Sequence, residues 1–342
     1  MSAAADDASA KPDAAALSSW LGEALGAPVA IDGVRRLAGG HSSGAWLLDT
    51  RVGGAPHPLV LKAPGAPSLV YRRDPVREAR ILAALAKQGA PVPRVVAIDA
   101  GTRAAGRPCF AMEYVDGRSV PDVPPGGHHG SGWFRDAGAE EQRAVWHSFH
   151  DALARLHAID AAEVPEAHLG SHGVRDVLRY WRDALLDSLP ESAAPRQLAV
   201  LDWLLGNLPP DADAAPAVCL GDARLVNGIV SGGVVRALVD FEVAYVGNPA
   251  ADLAYSLFVD RSFRTNSDAP LELPSAEETW ARWSHATGRA RGDRDYWTAF
   301  GATIIVVTAT RAMVQWGVAA ADVERSNALV AAWEAAAERA AR

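Results

Sequence analysis

Along the first 115 positions, apolar residues come in short runs rich in Val, Ile and Leu: Val29–Leu37, Ala45–Arg51, Pro58–Lys62, Val95–Ile98 and Arg107–Val115. Gly, Pro and Asp punctuate them, as at Gly53-Gly54 and Ala100-Gly101, and runs of this length between such turns predict strands. Two segments follow a helical period instead. Leu17–Leu25 is one. The other opens on Asp74-Pro75, an N-cap followed by proline in the first turn, and carries Ile81, Leu82 and Leu85 up to Gly89. The pattern predicts a five-stranded antiparallel sheet with one embedded helix.

From Asp116 to Gly132 the chain turns to Gly, Pro and His, which predicts a solvated linker. His128 and His129 have no carboxylate or cysteine at ligand spacing in the sequence, so they read as loop residues rather than metal ligands. Beyond, the pattern is helical over Ala139–Ala158, Val174–Leu189, Arg196–Leu205 and several helices from Ala276 onward. Trp146, Trp181, Trp203, Trp280, Trp283, Trp297, Trp316 and Trp333 are expected as apolar anchors of that bundle. A β patch interrupts it at Ala217–Leu220, Gly228–Val230 and Val234–Val239. The expected architecture is α+β and two-lobed. It has a disordered lead-in over 1–16, an N-lobe over 17–115, a hinge or linker over 116–137 and a mainly helical C-lobe over 138–342.

With 342 residues, nearly half of them hydrophobic, the chain is long enough for a sizeable core. No uninterrupted apolar run approaches the ~20 residues of a membrane span, and the N-terminus lacks a signal peptide's basic start and apolar stretch. Cys109 and Cys219, the two cysteines, sit in separate apolar runs, which predicts a reducing, cytoplasmic setting. The net charge of -8 is unevenly spread: residues 1–135 hold 15 Lys and Arg against 12 Asp and Glu, residues 136–342 hold 18 against 29. An acidic second half argues against a nucleic-acid partner. It suits a cationic substrate or metal ions, or equally a solvated acidic surface.

The polar residues of the β patch carry the chemistry. Asp222 and Asn227 lie five apart in Gly221-Asp222-Ala223-Arg224-Leu225-Val226-Asn227, and a hairpin through Gly232-Gly233 leads to a strand ending in Asp240-Phe241-Glu242. This is the order and spacing of a kinase catalytic loop followed by a metal-binding Asp. Asp222 is then expected to receive or orient the acceptor's hydroxyl proton, with Asn227 and Asp240 offering hard oxygens to Mg²⁺. Upstream, Lys62 is one of only three lysines, against 30 arginines, and it ends an apolar strand, where a compact ammonium suits phosphates. Glu78, sixteen residues on, is placed to pair with it. Gly39–Gly44 joins the first two strands. There Gly40 permits close backbone approach to a phosphate, and Ser42 and Ser43 can donate to its oxygens. The segment ending in Glu113, Tyr114 and Val115 is placed as a hinge whose backbone reads the base.

On these residues the chain resembles the aminoglycoside phosphotransferase family, which shares its two-lobed fold with choline kinases and protein kinases. The resemblance runs from about Val34 to Ser256. It is strongest in Leu220–Asn227 and Val239–Glu242, and Asn248–Ala254 and Ala154–Asp160 support it. It implies an O-phosphotransferase using ATP, with GTP as the alternative donor, and Mg²⁺. The implied acceptor is a hydroxylated small molecule, antibiotic or metabolite, and the protein a monomer or homodimer without nucleic-acid or membrane partners. Asp252 is expected to cap a helix and brace the catalytic loop. Two features depart from the family: Leu220 stands where the family usually has His, and Arg224 is unusual. Arg224 is expected to pair with a nearby carboxylate or to meet the substrate, and Glu242 is a second candidate for substrate contact. Leu220 keeps open a nucleotide-binding pseudokinase. The Gly-Asp-Ala-Arg-Leu wording also resembles kinase-like domains fused to acyl-CoA dehydrogenases, which keeps open a hydroxyacyl-type acceptor. Only 12 residues separate Asp240 from Asp252, too few for a protein kinase's activation loop.

Overall fold

A computed structural model describes residues 11–37, 44–65 and 67–342. The chain forms two compact units, one ending at Asp116 and the other beginning at Gly117.

The first unit contains α1 (Ala14–Leu25), β1 (Val29–Arg36), β2 (Ala45–Val52), β3 (Ala55–Pro56), β4 (Leu59–Lys62), α2 (Pro75–Lys87), β5 (Val95–Asp99) and β6 (Cys109–Glu113). The strands pair antiparallel in the order β1-β2-β4-β6-β5, with two-residue β3 hanging on β2. The five expected strands are thus the sheet, and Gly53-Gly54 closes a hairpin onto the small sixth one. The side-chain period of two divides the sheet into two buried faces. Leu48, Leu59, Leu61, Cys109 and Ala111 pack with Leu17, Trp20 and Leu21 of α1. Leu47, Val60 and Phe110 alternate to the opposite face and are also buried. Asp74 caps α2 with its carboxylate, as expected. Helix α1 begins earlier than its apolar pattern, because Asp13 caps it through the Ala15 N–H. Residues 14–16 are therefore helical and not part of a disordered lead-in.

The second unit opens with β7 (Arg118–Ser119), α3 (Trp133–Asp136), α4 (Ala139–Leu156), α5 (Val174–Leu186), α6 (Pro195–Gly206) and β8 (Ala217–Cys219). It continues through β9 (Gly228–Ser231), β10 (Val234–Leu238), β11 (Tyr245–Gly247), α7 (Ala250–Thr265), α8 (Ala276–Thr287), α9 (Arg294–Gln315), α10 (Ala320–Ser326) and α11 (Ala328–Ala340). Strands β10, β9 and β7 form one small sheet, β11 and β8 another. Trp146, Trp181, Trp283, Trp297 and Trp333 are fully buried anchors, whereas Trp316, expected among them, ends α9 at 68% exposure.

Helix α9 is long and apolar enough, by length and composition, to cross a bilayer, although polar residues interrupt its apolar run. Two thirds of its most apolar stretch is buried inside the fold, the pattern of a core helix. It packs against α7 and α11, and Gly301 makes the approach to α7 possible: a β-carbon there would lie 2.7 Å from the Ala251 carbonyl and 3.0 Å from Tyr255.

The stretch 117–132 clusters with the second unit. His128 and His129, expected to be solvated, are 5% and 1% exposed. Both Nε2 atoms lie 3.0 Å from one oxygen of Asp260 on α7. The partner is 131 residues away in sequence, beyond the reach of local composition.

Candidate functional site

The loop after β8 is built around Asp252. Gly221 has φ +81°, and a β-carbon there would sit 2.5 Å from the Val243 carbonyl, so conformation and space both demand glycine. The two backbone N–H groups of the turn, from Leu220 and Gly221, donate to the Asp252 carboxylate at 2.6 and 3.0 Å. Asp252 is fully buried, and His157 supplies a third contact at 3.1 Å. The Trp283 indole N–H donates to His157 Nδ1 at 3.0 Å, which puts the imidazole proton on Nε2, facing Asp252. A buried carboxylate is tolerable when its oxygens are satisfied in this way. The expected bracing by Asp252 is therefore visible, although Leu220 supplies only backbone to it.

Arg224 and Tyr255 together give the Asp222 side chain three hydrogen bonds. Arg224 forks onto it through Nε and Nη2, each at 2.6 Å, and the Tyr255 hydroxyl donates at 2.5 Å from α7. Arg224 also reaches Asp122 through Nη1 at 2.7 Å. Of the two expectations for Arg224, the carboxylate pairing is the one the geometry displays. Burial by itself would raise the Asp222 pKa, but the Arg224 charge and the bonds from Arg224, Tyr255 and Asn227 leave its carboxyl below the usual range. Burial and the neighbouring Asp222 charge push the Tyr255 phenol well above its ordinary value, so it stays a donor.

Asn227 and Asp240 meet at the same loop. The Asn227 amide Nδ2 donates to the Asp222 carbonyl at 2.8 Å, and the Asn227 carbonyl accepts from the Val239 N–H at 2.9 Å. Strand β10 is thereby tied to the loop just before Asp240, and Leu238 pairs with Gly228 across the ladder. Asp240 has φ +68°, a conformation that costs a non-glycine residue energy and recurs where a side chain must be aimed. Phe241 behind it is fully buried, while Glu242 is half-buried. With its amide nitrogen donating to the Asp222 carbonyl, Asn227 has an amide oxygen without a donor among the described residues. That oxygen and the Asp240 carboxylate form a donor set suited to a hard divalent cation.

In the first unit, Lys62 points to the face that α2 covers, because it lies two residues beyond Val60. Its Nζ meets Glu78 Oε1 at 2.6 Å, with the two side chains 9% and 2% exposed. Gly40, Ser42 and Ser43 lie outside the described residues. The Glu113 side chain pairs with Arg94 at 2.5 Å, and its N–H donates to the Arg94 carbonyl. Its carboxylate is thus engaged within its own unit, and half-buried Val115 lies two residues beyond the strand.

Tyr255 and Asp122 are not among the residues expected at the site from sequence. Tyr255 had a usable signal, since it stands one helical turn after Asp252 and presents the same face. Asp122 had none, being 102 residues from Arg224 and inside the Gly/Pro/His stretch. The cluster of His128, His129 and Asp260 also has the composition of a metal site. His129 argues against one: its Nδ1 accepts the Leu271 N–H at 3.0 Å, so Nε2 carries the proton and donates to Asp260.

A phosphotransferase enzyme family model matches residues 33–297. Acyl-CoA dehydrogenase family member 10 of Mus musculus is 28% identical over 278 residues, which cover 72% of this chain and 24% of that protein. The chain spans about a quarter of the length of the curated relatives it matches. Among solved structures, a Ralstonia eutropha protein provisionally assigned as an aminoglycoside phosphotransferase superposes with TM-score 0.69 at 22% identity, covering 96% of this chain and 99% of that one. A thermostable mutant of aminoglycoside phosphotransferase APH(4)-Ia, in ternary complex with AMP-PNP and hygromycin B, has TM-score 0.60 at 14% identity, covering 95% and 99%. At these identities the structures speak to the fold, and the family model speaks to the chemistry: the chain belongs to the phosphotransferase enzyme family.

Proposed function

We propose that the chain transfers the γ-phosphoryl group of ATP to a hydroxyl of a small molecule. One observation carries this reading: a glycine-turned loop held by buried Asp252 brings Asp222 and Asn227 together and ties them to the strand that ends in Asp240. Phosphoryl transfer through a loose transition state asks a protein mainly for positioning and charge. Asp222 orients the acceptor hydroxyl and takes up its proton as the new P–O bond forms. Asn227 and Asp240 would hold Mg²⁺, which when bound neutralises charge on the phosphates. Lys62, aimed by Glu78, serves the α- and β-phosphates. The complex of APH(4)-Ia with AMP-PNP supports an adenine nucleotide as donor.

The test is ADP release from ATP and Mg²⁺ over a panel of hydroxylated compounds, with Asp222→Ala as the comparison. Turnover with at least one acceptor, lost in Asp222→Ala while nucleotide binding persists, is expected. Wild-type-like turnover in Asp222→Ala sinks the mechanism, and Mg²⁺-dependent ATP binding without transfer to any acceptor favours a sensor.

A second reading concerns the acceptor. The match to acyl-CoA dehydrogenase family member 10 supports a hydroxyacyl-type molecule over an aminoglycoside. Including hydroxyacyl thioesters beside aminoglycosides in the panel decides between them.

A further inference from the structure

We propose that Tyr255, together with Arg224 braced by Asp122, is a positioning residue that fixes the Asp222 carboxylate for the acceptor hydroxyl. The proposal rests on the phosphotransferase reading of Asp222.

The geometry is that of a built holder. A carboxylate on a loop ordinarily turns about its side-chain torsions, and each alternative orientation is one in which an acceptor hydroxyl would be misaligned. Here rotation is opposed from two directions. Arg224 grips both oxygens from within the loop through a planar fork, and Tyr255 donates to Oδ1 from a separate element, α7. A bidentate guanidinium fixes orientation as well as charge. Arg224 is itself held, since Asp122 Oδ2 takes its Nη1, and the Asp122 side chain is 6% exposed. Tyr255 is 1% exposed, and its place is set by the tight crossing of α7 and α9 at Gly301. Oδ2 of Asp222 accepts from Arg224 Nη2, and a carboxylate oxygen has a second lone pair with which to accept from an incoming hydroxyl.

This arrangement also bears on Leu220. With leucine at that position, no side chain there can hydrogen-bond within the loop. The loop is instead steadied at two levels: Asp252 holds the backbone of Leu220 and Gly221, while Arg224 and Tyr255 hold the Asp222 carboxylate. Both Asp252 and Tyr255 come from the first two turns of α7, so one helix sets the height of the loop and the aim of its carboxylate.

Tyr255→Phe removes one donor without changing shape, and Arg224→Lys keeps the charge but loses the fork. In each variant kcat is expected to fall on the order of ten- to a hundredfold, the scale of a misplaced reactive group, with KM for ATP within about twofold of wild type. The decisive comparison is in an Asp222→Asn background. Residues that act through Asp222 should add little to the loss that Asp222→Asn already causes. Tyr255→Phe retaining full kcat, or its effect multiplying in full on that of Asp222→Asn, would overturn the proposal. Crystal structures of Tyr255→Phe and Arg224→Lys supply a readout independent of turnover. A rotated or doubly placed Asp222 carboxylate supports the proposal, and an unmoved one in both variants overturns it. Wild-type protein that transfers phosphate to no acceptor would instead count against the function itself.

Discussion

The buried pair of Lys62 and Glu78 shows how a single residue type can be conspicuous in sequence and costly in structure. With both side chains less than a tenth exposed, neither charge is comfortable without the other. Glu78→Ala is expected to destabilise the chain by about 3 kcal/mol, because it removes the carboxylate that pairs with a buried ammonium. Replacing both partners, Lys62→Met with Glu78→Leu, should recover most of that stability and none of the ATP affinity. Urea denaturation paired with nucleotide titration separates the two effects. If the pair served stability alone, the double variant would bind ATP like wild type. Lys62 was legible because lysine is so scarce here. Asp122 was not, since an aspartate in a loop looks ordinary until the fold brings it to Arg224, while Tyr255 could be found only by its helical spacing from Asp252.

At the scale of elements, sequence was informative where capping and period agree. Asp74-Pro75 opens α2 where expected, and the alternation of β2, β4 and β6 forms two buried faces. It was uninformative over residues 117–132. Local composition there reads as solvent-exposed, while the segment is held by Asp260 on α7, more than a hundred residues away. The turn before Asp222 is the most demanding local feature. Gly221→Ala places a side chain at φ +81° and against a carbonyl 2.5 Å away. The expected outcome is a loss of at least about 2 kcal/mol by strain alone, with kcat reduced further than stability explains. Urea midpoints and initial rates on one preparation check both halves.

For the whole molecule, buried imidazoles set the response to acid. Burial holds His150 down to about 4, despite its contacts with the Trp146 carbonyl and the Ser256 hydroxyl. Burial also holds His129 below its usual value. In the unfolded chain both would titrate near 6.5. Below that pH the unfolded state gains protons the folded state declines, so stability present above about 6.5 drains away as pH falls toward 4. His150 alone accounts for roughly 3 kcal/mol by pH 4. The Asp260 carboxyl, burial notwithstanding, is kept below the usual carboxylate range by His128 and His129, so its own contribution is lost only at more acidic pH. Urea midpoints between pH 7 and 4.5 should decline steadily in wild type and less steeply in His150→Gln. A flat wild-type profile would contradict the assignment.

The same core contains α9, which inside the fold is a packing element wedged between α7 and α11. Outside the fold it becomes something else: a largely apolar stretch of chain, residues 296–310, with nothing to cover it in water. Any chain that loses its native packing releases that stretch together with the tryptophans it covers. Neighbouring unfolded chains then have an apolar surface through which to associate. Heat inactivation of this protein is therefore expected to be one-way, which a melting temperature that rises with scan rate would show.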